Sequence, residues 1–298
     1  MDRDTQTIVR PFDGSLADAA GLLEVERATF DESPYTASQV QAMLATGPQR
    51  AWLALVGDRV VGFALAFATH GLAGPSWEID LLAVRPEATR RGLATRLIRA
   101  ASAGDSRLAP RARAVVATDN RASIRAFSRA GFRAGSDPCH LFVRRANKPE
   151  WAMPAVPAGL HVRPAADPGE LAPWQPPPDP TLLVQPGLAL LVALQDGRLC
   201  GYVELLQVET LLYRGLWIES LASDTPGARA ALIAATLDRA AGLGLDEVGA
   251  MVPHADAPLR RALPAAGFRS LGRFHWLTAR LPLPGLATAP GSVDGRGR

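Results

Sequence analysis

The sequence predicts a mixed α/β (α+β) chain built from two copies of one domain. Three observations carry this reading. Short segments recur in the same order at a nearly fixed offset. Within each copy, apolar alternation of period two gives way to helical periodicity and back. And 298 residues are long for one ordinary domain and comfortable for two. GDRVVGFALA at 57–66 returns as DGRLCGYVEL at 196–205, and WEIDLLAV at 77–84 returns as LWIESLAS at 216–223. Gly62 and Gly201 lie 139 residues apart, as do Ile79 and Ile218. AGFR occurs at 130–133 and 266–269, and VRP opens the halves at 9–11 and 162–164. A repeat of this length is a whole domain, far beyond a solenoid unit.

After the first VRP, helices are expected near 16–29, with Leu16, Leu23 and Phe30 along one side, and near 36–45, with Val40, Met43 and Leu44. Residues 51–56 and 60–68 read as paired strands joined by a turn at Gly57-Asp58. Residues 77–84 form a third strand. A helix at 92–104 puts Leu93, Leu97, Ile98 and Ala101 on one face. A buried strand at 113–118, a helix at 121–130 and strands within 132–144 complete the first copy. Residues 145–159 carry three prolines and read as a linker. The second copy keeps this order, with a helix at 227–242 carrying Leu232, Ile233 and Leu237. Where the first copy has its two early helices, the second has PWQPPPDP at 173–180, and proline does not sustain an interior helix. The expected limits are 1–146 for the first domain, 147–159 for the linker, 160–284 for the second domain and 285–298 for a flexible tail.

Composition narrows the function classes. Apolar residues make up 48% and charged residues 20%, which supports packed cores. Arginine supplies nearly all the positive charge, Lys148 being the only lysine, and the net charge is only +3. No long run of like charge points to nucleic acid. Cys139 and Cys200 cannot make a disulfide framework, and no stretch has the length of a membrane span. A cytoplasmic protein, monomer or homodimer, is expected. The five histidines are scattered without metal-ligand spacing, so no metal is expected.

Two segments carry chemistry. LLAVRPEATRRGLATRLIRAA at 81–101 runs from a strand through Pro86 and an arginine-rich loop to a glycine that opens a helix. Unpaired N–H groups and the helix dipole at such a start suit a phosphate or pyrophosphate. Arg90 and Arg91 add charge, and Gly92 and the small Ala94 permit close approach. TDNRASIRAFSRAGF at 118–132 places Asn120 as a helix cap and Ser123 and Phe127 four apart on one face, with Gly131 closing the helix. Together, in this order, VRPEATRRGLA and NRASIRAFSRAGF resemble the GNAT superfamily of acyl-CoA-dependent N-acetyltransferases. The resemblance covers residues 8–144.

It implies two tandem GNAT domains, each a mostly antiparallel mixed sheet flanked by helices, with a central strand pair, 77–84 and 113–118, splayed to admit a thioester. It implies acetyl-CoA as cofactor. Backbone groups around Arg90, Arg91, Gly92, Leu93, Ala94 and Thr95 would hold its pyrophosphate. Main-chain groups of Leu82, Ala83 and Val84 would pair with the pantetheine arm, beside Asn120 and Ser123. Thr89 stands where the family usually has Arg or Gln. Phe127 stands where many members have a tyrosine that protonates the leaving thiolate, which leaves water or Ser123 for that task.

Amide formation also needs a base. Alternation puts Glu78, Asp80, Leu82 and Val84 on one face. Glu78 lies fourteen residues before Gly92, matching the catalytic glutamate of some members, and Asp80 is nearer the expected thioester. Cation binding or a wet strand end would also account for these acids. Glu26, Phe30, Glu32 and Tyr35 lie in the helical region expected to roof the substrate site. In the second copy the arginine–glycine loop is replaced by SLASDTPGARAALIAA at 220–235, and Asp256, Leu259 and Leu263 stand at the Asn120, Ser123 and Phe127 positions. Glu219 matches Asp80, and Trp217 matches Glu78. The resulting expectation is an N-acetyltransferase for a small-molecule, peptide or protein amine, with a degraded second copy. A non-catalytic acyl-CoA sensor is the competing class.

Overall fold

The computed structural model describes residues 7–30, 35–103, 109–145, 156–175, 185, 187–211 and 213–283. The first half runs β1 (Thr7–Pro11), α1 (Leu16–Phe30), α2 (Ala37–Thr46), β2 (Arg50–Val56), β3 (Arg59–Gly71), β4 (Gly74–Val84), α3 (Leu93–Ala103), β5 (Arg111–Ala117), α4 (Arg121–Ala130), β6 (Arg133–Ala134) and β7 (Cys139–Arg145). The second half runs β8 (Leu160–Pro164), β9 (Leu188–Gln195), β10 (Arg198–Glu209), β11 (Arg214–Ser223), α5 (Pro226–Gly242), β12 (Glu247–Pro253), α6 (Ala257–Ala265) and β13 (Arg269–Arg280). Between β8 and β9 a single 3-10 turn at Pro168–Leu171 is described. The expected linker core and the tail beyond residue 284 lie outside the described residues, as do Glu32 and most of the proline run.

The strands form one mixed, mostly antiparallel sheet. Its order is β1-β2-β3-β4-β5-β13-β7-β12-β11-β10-β9-β8, with β6 beside β13. The order is a palindrome in which the last long strand of each half has crossed over. β13 pairs with β5 from Phe274↔Ala117 to Arg280↔Arg111, and β7 pairs with β12 from Glu247↔Arg145 to Pro253↔Cys139. The cores follow the exchange. Leu277 and Ala279 of β13 are buried in the first-half core, and Phe142 of β7 in the second. Chain halves and sheet halves therefore do not coincide.

The repeated sequence signals have shared physical causes. Arg10 of the first VRP pairs with Asp18 in the first turn of α1, and Arg163 of the second pairs with Glu170 in the 3-10 turn. A Cβ on Gly62 would stand 2.9 Å from the Ala83 carbonyl and 3.2 Å from Leu97, and one on Gly201 would stand 2.8 Å from the Ala222 carbonyl and 3.1 Å from Leu232. Both glycines let a helix press on the sheet. Leu97 and Leu232 are fully buried there, each worth roughly 1.5–3 kcal/mol. The hairpin tips dock reciprocally. Leu72, after β3, donates its N–H to Glu204 of the second half at 2.6 Å, and Leu211, after β10, donates to Gln49 of the first at 2.9 Å.

Candidate active site

Strand β4 runs parallel to β5, but the two pair only at Trp77↔Ala112 and Glu78↔Arg113. Beyond Glu78 the strands diverge, and the β4 edge is left as a template for an extended ligand. The divergence coincides with a β-bulge. Leu65 pairs with Leu81 and Ala66 with Ile79, so Asp80 has no cross-strand partner. A bulge re-aims its extra residue and breaks the side-chain alternation. Here it overturns the expected shared face. Glu78, opposite Phe67, shares its face with Leu81 and Ala83, while Leu82 and Val84 lie on the face of Ile79. The second half has the same bulge at Glu219, between Glu204↔Ser220 and Leu205↔Ile218.

At the end of β4, a 3-10 turn at Pro86–Ala88 leads into the arginine loop. Thr89 closes that turn through its hydroxyl, which donates to the Pro86 carbonyl at 2.8 Å. Arg90 has φ 62° and Gly92 φ 75°. Left-handed backbone on either side of Arg91 makes the kind of concavity that gathers N–H groups around an anion. The first loop-to-helix bond is Arg96 N–H to Gly92 C=O at 3.1 Å, and no described acceptor meets the N–H groups of Leu93, Ala94 or Thr95. A Cβ on Gly92 would meet nothing within 4 Å, so the space over the loop is open. Arg90 and Arg91 are exposed, and Leu93 anchors the helix start in the core.

Between the splayed strands lies a cleft lined by Leu82, Val115, Asn120, Ser123 and Phe127, with Phe30 from α1 and Phe274 from β13. Asn120 caps α4 by accepting from Ser123 N–H at 3.1 Å. Phe127 is buried edge-on against Phe132, their centroids 5.0 Å apart. Glu26 is buried on α1, with Oε2 unbonded among the described residues, and Tyr35 is half-buried. Neither lines this cleft.

A second cavity lies on the other side of the bulge, walled by both halves. Its charged centre is Arg113, whose side chain reaches Glu78 and Glu219. Three donors converge on Glu78 Oε1: Thr69 Oγ1 at 2.7 Å, Arg113 Nε at 2.8 Å and Arg113 Nη2 at 2.6 Å. Arg113 Nη1 donates to Glu219 Oε1, and the guanidinium lies 4.5 Å from the Trp276 ring centre. Burial alone would lower the Arg113 pKa, but Glu78 and Glu219 outweigh it and hold the group above its ordinary value. Asp80 has a different environment. Gln49 Nε2 donates to its Oδ2 at 3.1 Å, and Gln49 Oε1 in turn accepts from Leu211 of the second half. Burial, then the charge of Glu78, pushes Asp80 up to about 6, against the opposing bond from Gln49.

Asp80 stands where the two cavities meet. Ile79, Asp80 and Val115 line both, and only Asp80 of the three titrates. Gln49, Arg113, Leu206, Val208, Tyr213 and Trp276 were not singled out from sequence, and Glu219 and Trp217 were noted only as the counterparts of Asp80 and Glu78. An arginine inside a strand read as buried, and Glu219 at the Asp80 offset, were the available signals.

A doubled α/β sheet with splayed parallel strands above an open helix start defines a class. Residues 20–132 match the Acetyltransferase (GNAT) family, and the whole chain has the fold of tandem GNAT proteins. The GCN5-related N-acetyltransferase from Sphaerobacter thermophilus is similar at 19% identity and TM-score 0.60, over 95% of this chain and 98% of its own. A tandem GNAT protein from the clavulanic acid biosynthesis pathway is similar at 17% identity and TM-score 0.54, over 96% of this chain and 100% of its own. A GCN5-related glucosamine N-acetyltransferase region of a fungal multi-domain beta-N-acetylglucosaminidase is similar at 16% identity and TM-score 0.58, over 93% of this chain and 38% of that one. No curated protein matches the chain.

Proposed function

We propose that the chain is an acetyl-CoA-dependent N-acetyltransferase whose working site lies in the first half, residues 1–146, with residues 160–284 as a degraded copy that completes the walls. The observation that carries this is Asp80 at the junction of the two cavities, the donor cleft on one side and the acceptor cavity on the other. The open space over Gly92, the unbonded N–H groups after it and the unladdered β4 edge fit coenzyme A. Residues 90–95 would hold the pyrophosphate, with Thr89 at the loop entrance. Backbone groups of Leu82, Ala83 and Val84 would hold the arm, flanked by Asn120, Ser123 and Phe127. When bound, acetyl-CoA supplies an electrophilic thioester carbon and a thiolate leaving group.

Asp80 takes the proton that a primary amine sheds as its nitrogen bonds to carbon and the C–S bond breaks. A carboxyl near 6 is ionised at neutral pH and still basic enough to accept it. Glu78 is committed to Thr69 and Arg113, so it sets the charge around Asp80 and does not take the proton. Ser123, the hydroxyl lining the donor cleft, is assigned to relay a proton from water to sulfur, since Phe127 has none. Of the expected roof residues, Phe30 is kept, since it lines the donor cleft, whereas Glu26 and Tyr35 line neither cavity.

Calorimetry with acetyl-CoA tests the donor half of this reading, and thiol release over an amine panel tests turnover. The panel includes glucosamine, the acceptor named for the fungal neighbour. Absence of binding at millimolar acetyl-CoA sinks the assignment. Binding without thiol release from any amine supports a sensor and refutes the enzyme.

A further inference from the structure

Resting on the acetyltransferase reading, we propose that the acceptor is a small primary amine carried on an apolar body, an aryl- or alkylamine, and that the second half of the chain selects it. The acceptor cavity is built asymmetrically. One end is acidic: the carboxyls of Glu78, Asp80 and Glu219 meet the single guanidinium of Arg113. That balance draws in an ammonium group and repels an acceptor bearing its own carboxylate. The remaining walls are apolar. Phe67, Leu206 and Val208 form one buried cluster, with Tyr213 and Trp217 packed against it. Trp276 closes the wall under Arg113. Of these six, all but Phe67 come from the second half.

Several polar groups of this cavity are already engaged with one another. Thr69 donates to Glu78, and Arg113 divides its donors between Glu78 and Glu219. A sugar-like amine would have to share the few remaining polar atoms among several hydroxyls, and each hydroxyl left without a partner would weaken binding by roughly tenfold. An alkyl or aryl body removes apolar surface from water and leaves nothing unmatched. The cavity volume is about 80 Å³, below the usual range of drug-sized ligand sites, which keeps the acceptor small.

The test uses the full-length protein. Acetyl-CoA binding is first measured by calorimetry, so that failure of the donor site is seen separately. Thiol release is then compared for phenethylamine, tryptamine and hexylamine against glucosamine, free lysine and a short peptide with an unblocked N-terminus. The expected result is a kcat/KM at least 100-fold higher for the three apolar amines. Trp217→Ala should raise KM for tryptamine by tenfold or more without changing acetyl-CoA affinity, and Trp217→Phe should restore most of it. Glucosamine, lysine or the peptide equalling the apolar amines overturns the acceptor class while leaving the acetyltransferase reading intact. Intact acetyl-CoA binding with no turnover of the apolar amines overturns it as well. If Trp217→Ala does not fold, the wild-type panel decides alone.

Discussion

Replacing Asp80 by asparagine keeps the shape of the side chain and removes its charge. Folding and chemistry should then move in opposite directions. In the folded chain Asp80 titrates at about 6, against an ordinary value of 3.8. At about 1.4 kcal/mol per unit, that difference is about 3 kcal/mol of penalty on the ionised folded state. Asp80 keeps partial solvent contact, so screening brings the expected effect down to about 1–2 kcal/mol. The sign follows from proton counts. Between pH 4 and 6 the unfolded chain has lost the Asp80 proton and the folded chain still holds it, so stability falls as pH rises through this window. Asp80→Asn has no such loss. Urea unfolding at pH 8 should find it about 1–2 kcal/mol more stable than wild type, with the gap closing toward pH 4. Thiol release by the same variant should fall by roughly 100-fold or more, the usual scale for a lost general base. In wild type kcat/KM should climb as pH rises through about 6. A variant that turns over normally refutes the base assignment. A variant less stable at pH 8 refutes the burial argument.

Gln49→Leu removes a bond that favours the ionised form of Asp80, so the acid limb of the rate profile should move to higher pH and kcat at pH 6 should drop; an unmoved limb excludes the coupling. Arg113→Met leaves Glu78 and Glu219 buried against each other and should cost about 3–5 kcal/mol in urea unfolding, with Arg113→Lys recovering only part because the forked geometry is lost. Gly92→Ala puts a side chain on a φ of 75° and should cost about 1 kcal/mol, while Gly92→Glu should carry the same backbone cost, unfold at a midpoint close to that of Gly92→Ala, and weaken acetyl-CoA at least 100-fold by calorimetry. Residues 1–146 alone lack β13, which separates β5 from β7, so size exclusion and circular dichroism should show an aggregating fragment without a cooperative transition. Mixing in residues 147–298 during refolding should recover the fold.

Local periodicity made much of the fold legible. Leu93, Leu97, Ile98 and Ala101 lie on the buried face of α3 as their spacing requires, and Asn120 and Gly131 bound α4 by capping chemistry that acts within a few residues. Gly62 and Gly201 marked the repeat because the same helix-on-sheet contact needs them twice. What escaped is nonlocal. The crossover of β7 and β13 depends on which sheet edge each strand reaches, and a strand of a given pattern fits either edge. The bulge at Asp80 leaves the composition of β4 unchanged yet reverses the face of every residue after it, so the alternation read from sequence failed beyond Glu78. Gln49 carries no signal of its own, since its role exists only once Leu211 has docked beside it.

The register of the two parallel strand pairs explains why one site lies between two copies. Where the first half sets Glu78 opposite Arg113, the second sets Trp217 opposite Gly249. The two pairs are alternative solutions to one packing problem. A Cβ on Gly249 would stand 2.6 Å from the Trp217 ring, so the indole needs bare backbone beneath it, and an arginine at that place would have no room. With a ring in place of the acid and bare backbone in place of the cation, the second half has no arginine in its own register to face Glu219. Arg113 of the first half supplies the charge instead. A guanidinium with donors on several nitrogens can serve two carboxylates at once, and Lys could not hold both in the same geometry. The acid that matches Asp80 is thereby paired with a cation, while Asp80 accepts a hydrogen bond from the neutral amide of Gln49 and lies near the charge of Glu78. One bulged carboxylate, Asp80, stays unpaired with any cation among the described residues, as the proposed base requires, and the other becomes part of the wall, where Trp217 stands instead of an ion pair.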